Sequence, residues 1–271
     1  MRRGIMIMIF LILSHVFISC FQKPALANER DDIEKEDFIE DFWSGTFDRA
    51  GLPDFLRDKV ISYLVEGPDF AMELFSLMDS DPYLYKLVDK QHALDQNYTP
   101  VDLVELNNGA YRVSRQGLML REAAALSLEA MALAALSEGV TLTAASTFRS
   151  YEYQADVYSR NVRELGVEAA DRESARPGYS QHQLGLVVDF YPIDDVFYNT
   201  PASAWLEKNA SRFGWSLSFP DGYEHITGYR WESWHYRYLG PELAAFTDKY
   251  FDGIQQYALL FIDAWVNAGN Q

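Results

Sequence analysis

Three short segments carry the residue types that do chemistry. The first is Ser180-Gln181-His182-Gln183-Leu184-Gly185-Leu186-Val187-Val188-Asp189, and the second is Glu232-Ser233-Trp234-His235-Tyr236-Arg237. The third is Ser146-Thr147-Phe148-Arg149-Ser150-Tyr151-Glu152-Tyr153-Gln154. His182 and Asp189 flank a glycine turn that leads into an apolar strand. A carboxylate between Val188 and Phe190 is costly to bury unless it is paired, hydrogen-bonded or metal-bound. Two histidines and one aspartate make a set of zinc ligands with a fourth position left for water. Zinc lowers the pKa of that water to roughly 7, and Glu232, just before His235 in sequence, is the natural group to take its proton. Spacing alone leaves the structural alternative open. A histidine in an aromatic strand is commonly a hydrogen-bonded core residue, and a lone buried aspartate commonly holds a turn.

Other chemistries find less support. There is no H-E-x-x-H helix of the common zinc proteases, no G-x-S-x-G and no S-x-x-K. The single cysteine, Cys20, excludes a disulfide framework and a cysteine-rich zinc finger. With 23 Lys+Arg against 40 Asp+Glu the net charge is -17, which excludes a general nucleic-acid binder. The acid excess is uneven: residues 28–144 hold 10 basic and 23 acidic side chains, whereas residues 145–240 hold 9 and 13. The more balanced stretch is where anion contacts are to be sought, and the acidic one reads as a solvated face.

The elements that must position these residues can be read coarsely. At 271 residues and 48% hydrophobic, the chain can bury a sizeable core. Residues 33–80 read as short amphipathic helices broken at Gly51-Leu52-Pro53 and Gly67-Pro68. Leu84–Val88 reads as a strand or an extended lead-in. Residues 115–137 read as one helix closed by Gly139, and 140–145 as a strand. Ser150 is placed to cap a helix running towards Gly166, and residues 186–191 form a core strand. Thr200-Pro201 starts a helix to about Phe213. Strands follow at 215–219 and 234–238, and Gly240-Pro241 opens a C-terminal amphipathic helix. Early helices and later strands favour an α+β fold.

The first 27 residues form a separate segment. Arg2 and Arg3 precede an apolar run from Ile5 to Ile18, the pattern of an export signal. The run is short for a membrane span, which needs about 20 apolar residues. Two exits are open: cleavage after Ala25-Leu26-Ala27, or a lipid anchor on Cys20 in a loose lipoprotein box. Cleavage would leave 20 basic and 40 acidic residues and no cysteine.

Together the three segments resemble the VanY-type zinc D-alanyl-D-alanine carboxypeptidases, LAS-type metallopeptidases with S-x-H-x-x-G-x-x-x-D and E-x-W-H motifs. The resemblance extends through Leu87-Val88-Asp89-Lys90, Tyr98-Thr99-Pro100-Val101-Asp102-Leu103, Ser174–Ser180 and Thr227–Gly240, and covers roughly residues 84–245. It implies a small antiparallel sheet flanked by helices, the zinc D,D-peptidase (hedgehog-like) fold, with an N-terminal helical extension. It also implies one Zn2+ per chain on His182, Asp189 and His235, and Glu232 as catalytic base and later proton donor. Arg149 corresponds to the arginine that grips the substrate's terminal carboxylate, and Ser180 and Gln154 to residues that help hold that end. The implied substrate is the peptidoglycan stem peptide, cut as a D,D-carboxypeptidase; L,D-carboxypeptidase, endopeptidase and inactive wall-binding alternatives stay open. Neither nucleic acid nor an obligate protein partner is expected. The expected organisation is an export signal in 1–27, a helical extension in 28–83, a catalytic domain in 84–245 and a C-terminal helix packed on it in 246–271. Leu184, Val187, Ser233 and Ser218-Phe219-Pro220 depart from the usual pattern. None is an expected ligand or the base, and the last puts the substrate cleft in question. His92 and His225 match no ligand position.

Overall fold

A computed structural model describes residues 29–268; the export signal, Cys20 included, lies outside them. The described residues divide into two compact units, residues 29–79 with 260–268, and residues 80–259. The first unit contains α1 (Glu29–Ala50), α2 (Asp54–Glu66) and α3 (Asp69–Leu77). The breaks fall at the glycine–proline pairs read from the sequence, where the proline cannot continue the preceding helix. Within this unit the rings of Trp43, Phe70 and Phe261 pack with centroids 5.6–6.4 Å apart.

The second unit is α+β. It opens on turns and extended chain, so that Leu84–Val88 is a lead-in without strand pairing. Strands β1 (Leu103–Glu105), β2 (Arg112–Val113) and β3 (Met119–Arg121) precede α4 (Glu122–Ser137). The expected helix over 115–137 therefore starts seven residues later. Residues 119–121 have good helix propensity, but they pair antiparallel with β1, and pairing overrides so weak a preference. Strand β4 (Thr143–Ser146) leads to α5 (Tyr151–Leu165), where Ser150 Oγ accepts the Tyr153 N–H as expected of an N-cap. After α6 (Val167–Glu173) and a 3-10 turn at Gln181–Leu184 comes β5 (Val187–Phe190), buried throughout. Helix α7 (Pro201–Asn209) is capped by Thr200, whose Oγ1 accepts the Ser203 N–H. Strand β6 (Trp215–Leu217), the single-turn α8 (Glu224–Thr227) and β7 (His235–Tyr238) complete the sheet.

The five-stranded sheet has the order β2-β4-β5-β7-β6. Every pair in it is antiparallel except β2–β4. The expected single C-terminal helix is two, α9 (Pro241–Tyr250) and α10 (Gln255–Ala268), broken where Asp252 and Gly253 both take positive φ. The second unit begins at Ser80 and ends at Leu259, within α10. The core lies between the central strands and α4: Val188, Phe190 and Tyr236 pack in one cluster with Leu120, Leu128 and Met131.

Candidate active site

Strands β5 and β7 are central, buried and in register so that Asp189 stands directly opposite His235. On the other side Asp189 pairs with Ser146 of β4, across an irregularity between Ala144 and Ser146. A bulge re-aims the residues that follow it, and here those are Ser146 and Thr147. His182 arrives from the 3-10 turn. Ser180 Oγ accepts the His182 backbone N–H, and Gly185 closes the turn at φ +68. A Cβ on Gly185 would lie 3.0 Å from Arg121 and Leu103 side-chain carbons, so the turn requires glycine on two counts.

The structure brings His182, Asp189 and His235 together, with one ligand atom from each lying within 4.8 Å of the others. His182 Nε2 is 3.1 Å from Asp189 Oδ2, and His235 Nδ1 is 3.0 Å from Asp189 Oδ1. His182 Nδ1 lies 2.7 Å from the Thr147 carbonyl, which can only accept. Nδ1 therefore carries the proton, and Nε2 offers its lone pair towards Asp189. Burial, aided by the Arg149 charge, pushes the His182 imidazole down to about 4, so this ring stays neutral. His235 behaves oppositely: burial alone would lower it, but Asp189 and Glu232 outweigh burial and raise it to about 9. Burial likewise opposes ionisation of Asp189, yet the two histidines hold its carboxyl well below the usual range. Two imidazoles and one carboxylate, buried together and converging, suit zinc better than an oxygen-seeking ion.

Glu232 Oε2 sits 3.4 Å from His235 Nδ1, and burial raises the glutamate's pKa. Arg149 Nη2 donates to Asp189 Oδ2 at 2.8 Å and to Ser146 Oγ at 2.7 Å. Its Nε also donates to Ser146 Oγ, and its Nη1 reaches Gln154 Oε1 at 3.3 Å. Gln154 spends its own N–H groups on the Ala175 carbonyl and Ser174 Oγ. The structure thus sets Gln154 behind Arg149 as its brace, with its amide already taken by the protein. Ser180 combines two positions, capping the His182 turn and lining the cleft.

All seven sequence-derived residues line one cleft of about 320 Å³, together with Gln181, Phe219, Tyr229 and Arg230. Phe219 packs its ring 4.6 Å from that of His235. The neighbouring Ser218 points instead into the protein, so the departure at 218–220 touches the cleft through Phe219 alone among its ring-bearing residues. Sequence reasoning missed Ser146 as the arginine's main acceptor, although the third segment contained it. It also missed the Thr147 carbonyl, which no side-chain pattern can signal. His92 is held by Asp89 at 2.7 Å, and His225 stacks near Tyr223, both away from the ligand cluster.

Fold and site together describe an α+β unit with a candidate metal centre, and comparison with known proteins supplies the family. Residues 117–241 match the VanY family, described as D-alanyl-D-alanine carboxypeptidase. The chain is 36% identical over 165 residues to YodJ of Bacillus subtilis, which is named as a carboxypeptidase; the alignment covers 58% of this chain and 60% of that protein. It is 30% identical over 185 residues to a D-alanyl-D-alanine carboxypeptidase of Enterococcus faecalis, covering 65% of each. Among solved structures, it resembles the vancomycin resistance D,D-pentapeptidase VanY, solved with Zn(II). There the identity is 31% and the TM-score 0.55, over 66% of this chain and 99% of that one. The LD-carboxypeptidase LdcB is similar at 33% identity and TM-score 0.55, over 62% and 85%. The chain belongs to the VanY family of D-alanyl-D-alanine carboxypeptidases. It spans 54–65% of the length of the first curated relatives it matches.

Proposed function

We propose that this chain is an exported zinc carboxypeptidase that removes the terminal D-alanine from peptidoglycan stem peptides. The observation that carries the reading is the Asp189 carboxylate, which gathers His182, His235 and Arg149 within 3.1 Å in a cleft also lined by Glu232. Zinc held by His182, Asp189 and His235 would supply a Lewis acid that activates water and takes up charge on the scissile carbonyl oxygen. Glu232 removes a proton from the attacking water and returns it to the departing amine. Burial raises its pKa, which strengthens it as a base. Arg149 receives the substrate's terminal carboxylate. Its Nη1 edge, engaged only by the 3.3 Å bond to Gln154, is the part free to fork onto that group. Ser180, which also lines the cleft, adds a hydroxyl for that end of the substrate. The C–N bond breaks, water's oxygen goes to the carbonyl carbon, and free D-alanine leaves with the proton from Glu232.

The basic and apolar pattern of residues 2–18 supports export to the cell envelope, followed by cleavage after Ala27 or lipidation at Cys20. One specific observation favours a second specificity: the LD-carboxypeptidase LdcB is as similar in fold as VanY. Digestion of the purified mature protein with a pentapeptide ending in D-Ala-D-Ala, with and without chelator and zinc add-back, tests both. Release of one D-alanine, lost with chelator and restored by zinc, is expected. Metal-dependent trimming of the tetrapeptide alone would move the specificity to L,D. Silence on both with zinc bound would overturn the carboxypeptidase reading.

A further inference from the structure

Gln181, between Ser180 and His182, is 4% exposed yet lines the cleft. The direction of its amide follows from a chain of hydrogen bonds that begins at a backbone carbonyl. Gln255 reaches Ser216 O at 3.2 Å, and a carbonyl can only accept, so the Gln255 atom there is Nε2. The same nitrogen donates to Ser218 Oγ at 3.0 Å. Ser218 therefore accepts from Gln255 and has one hydrogen left to give. It gives it to Gln181 at 2.8 Å, so the Gln181 atom facing Ser218 is the acceptor Oε1. Ser218 and Gln255 are buried and do not line the cleft, so solvent does not compete for the Ser218 hydroxyl. The Gln181 N–H groups are consequently turned away from Ser218. They make no hydrogen bond among the described residues, on a residue that lines the cleft.

We propose that Gln181 is a substrate-binding residue whose amide donates to a backbone carbonyl oxygen of the bound peptide, with Ser218 and Gln255 as the positioning residues that fix its direction. The inference rests on the carboxypeptidase reading above. Arg149 takes the terminal carboxylate and the scissile carbonyl belongs at the metal, so the acceptor left for Gln181 is a carbonyl further up the chain. The fixed direction makes this point of the cleft selective: it accepts an oxygen and rejects an ammonium.

The test uses the zinc-loaded Glu232→Ala protein, which holds peptide without cutting it, and measures binding of the D-Ala-D-Ala pentapeptide by calorimetry. Adding Gln181→Met should weaken binding about tenfold at unchanged zinc content. Gln181→Glu keeps an acceptor for Ser218 but offers the peptide no donor, and should weaken it at least as much. Ser218→Ala frees the amide to turn and should cost less, with no additional loss in the Gln181→Met background. Equal affinities for Gln181→Met and its parent would overturn the inference while leaving the function intact. Failure of the parent itself to bind the peptide would overturn the function and the inference with it.

Discussion

Strand β7 carries two buried residues able to bear positive charge, His235 and Arg237, two positions apart, and their surroundings differ in kind. His235 faces two carboxylates, Asp189 and Glu232, and its Nε2 has no partner among the described residues. Arg237 is fully buried and, among the described residues, meets no carboxylate within ion-pair distance. Its Nη2 donates to the carbonyls of Tyr83, Leu84 and Lys86 at 3.3, 3.1 and 2.8 Å. Burial alone pushes its pKa down to about 9. A cluster of opposed charges with converging lone pairs is a site for something from outside. A single cation fastened to three carbonyls is a clamp that ties the lead-in segment to the sheet. The strand thus separates function from structure within one turn of pleat, and this separation can be tested.

The largest expected effects fall on the His235 side. His182→Ala should abolish both zinc retention and turnover, read by metal analysis and peptide digestion. Glu232→Ala should keep one zinc per chain while turnover drops a hundredfold or more, roughly the range for losing a general base. Near-normal activity there would remove Glu232 from its role. Arg237→Leu should do the reverse. It leaves three carbonyls without their donor and should lower the unfolding free energy by about 2 kcal/mol in a denaturant titration. Zinc content of the folded fraction should be unchanged, and loss of zinc before loss of fold would break the contrast. The smallest effect belongs to an ion pair at the edge of the unit. Arg176 and then Tyr158 hold the Asp171 carboxyl down to about 2, from an ordinary 3.8. A depressed acid stabilises the fold above its unfolded pKa and loses that contribution as pH falls through the folded value. Asp171→Asn should therefore give a small drop in Tm at pH 6 that vanishes near pH 2.

Much of the site was legible because its chemistry demands particular side chains. A carboxylate between Val188 and Phe190 has few affordable explanations, and His182, His235 and Glu232 supplied one. The helix breaks in the first unit were legible for the same reason, since proline and glycine act locally. Pairings between distant segments were not legible. Residues 119–121 look helical until β1 is beside them. Arg149 gives no sign in sequence that it will reach Asp189, forty residues away. The Gln181 direction was hidden further still, because it is settled by Ser216, Ser218 and Gln255 together.

The opposition of Asp189 and His235 across β5 and β7 has a consequence for how the protein matures. A strand slipped by one residue would present Val188 or Phe190 to His235 and turn the carboxylate to the opposite face of the sheet. Such a chain would lack a ligand and could not be loaded. An ion held by His182, Asp189 and His235 would therefore bind only the aligned register and would stabilise it against slipping.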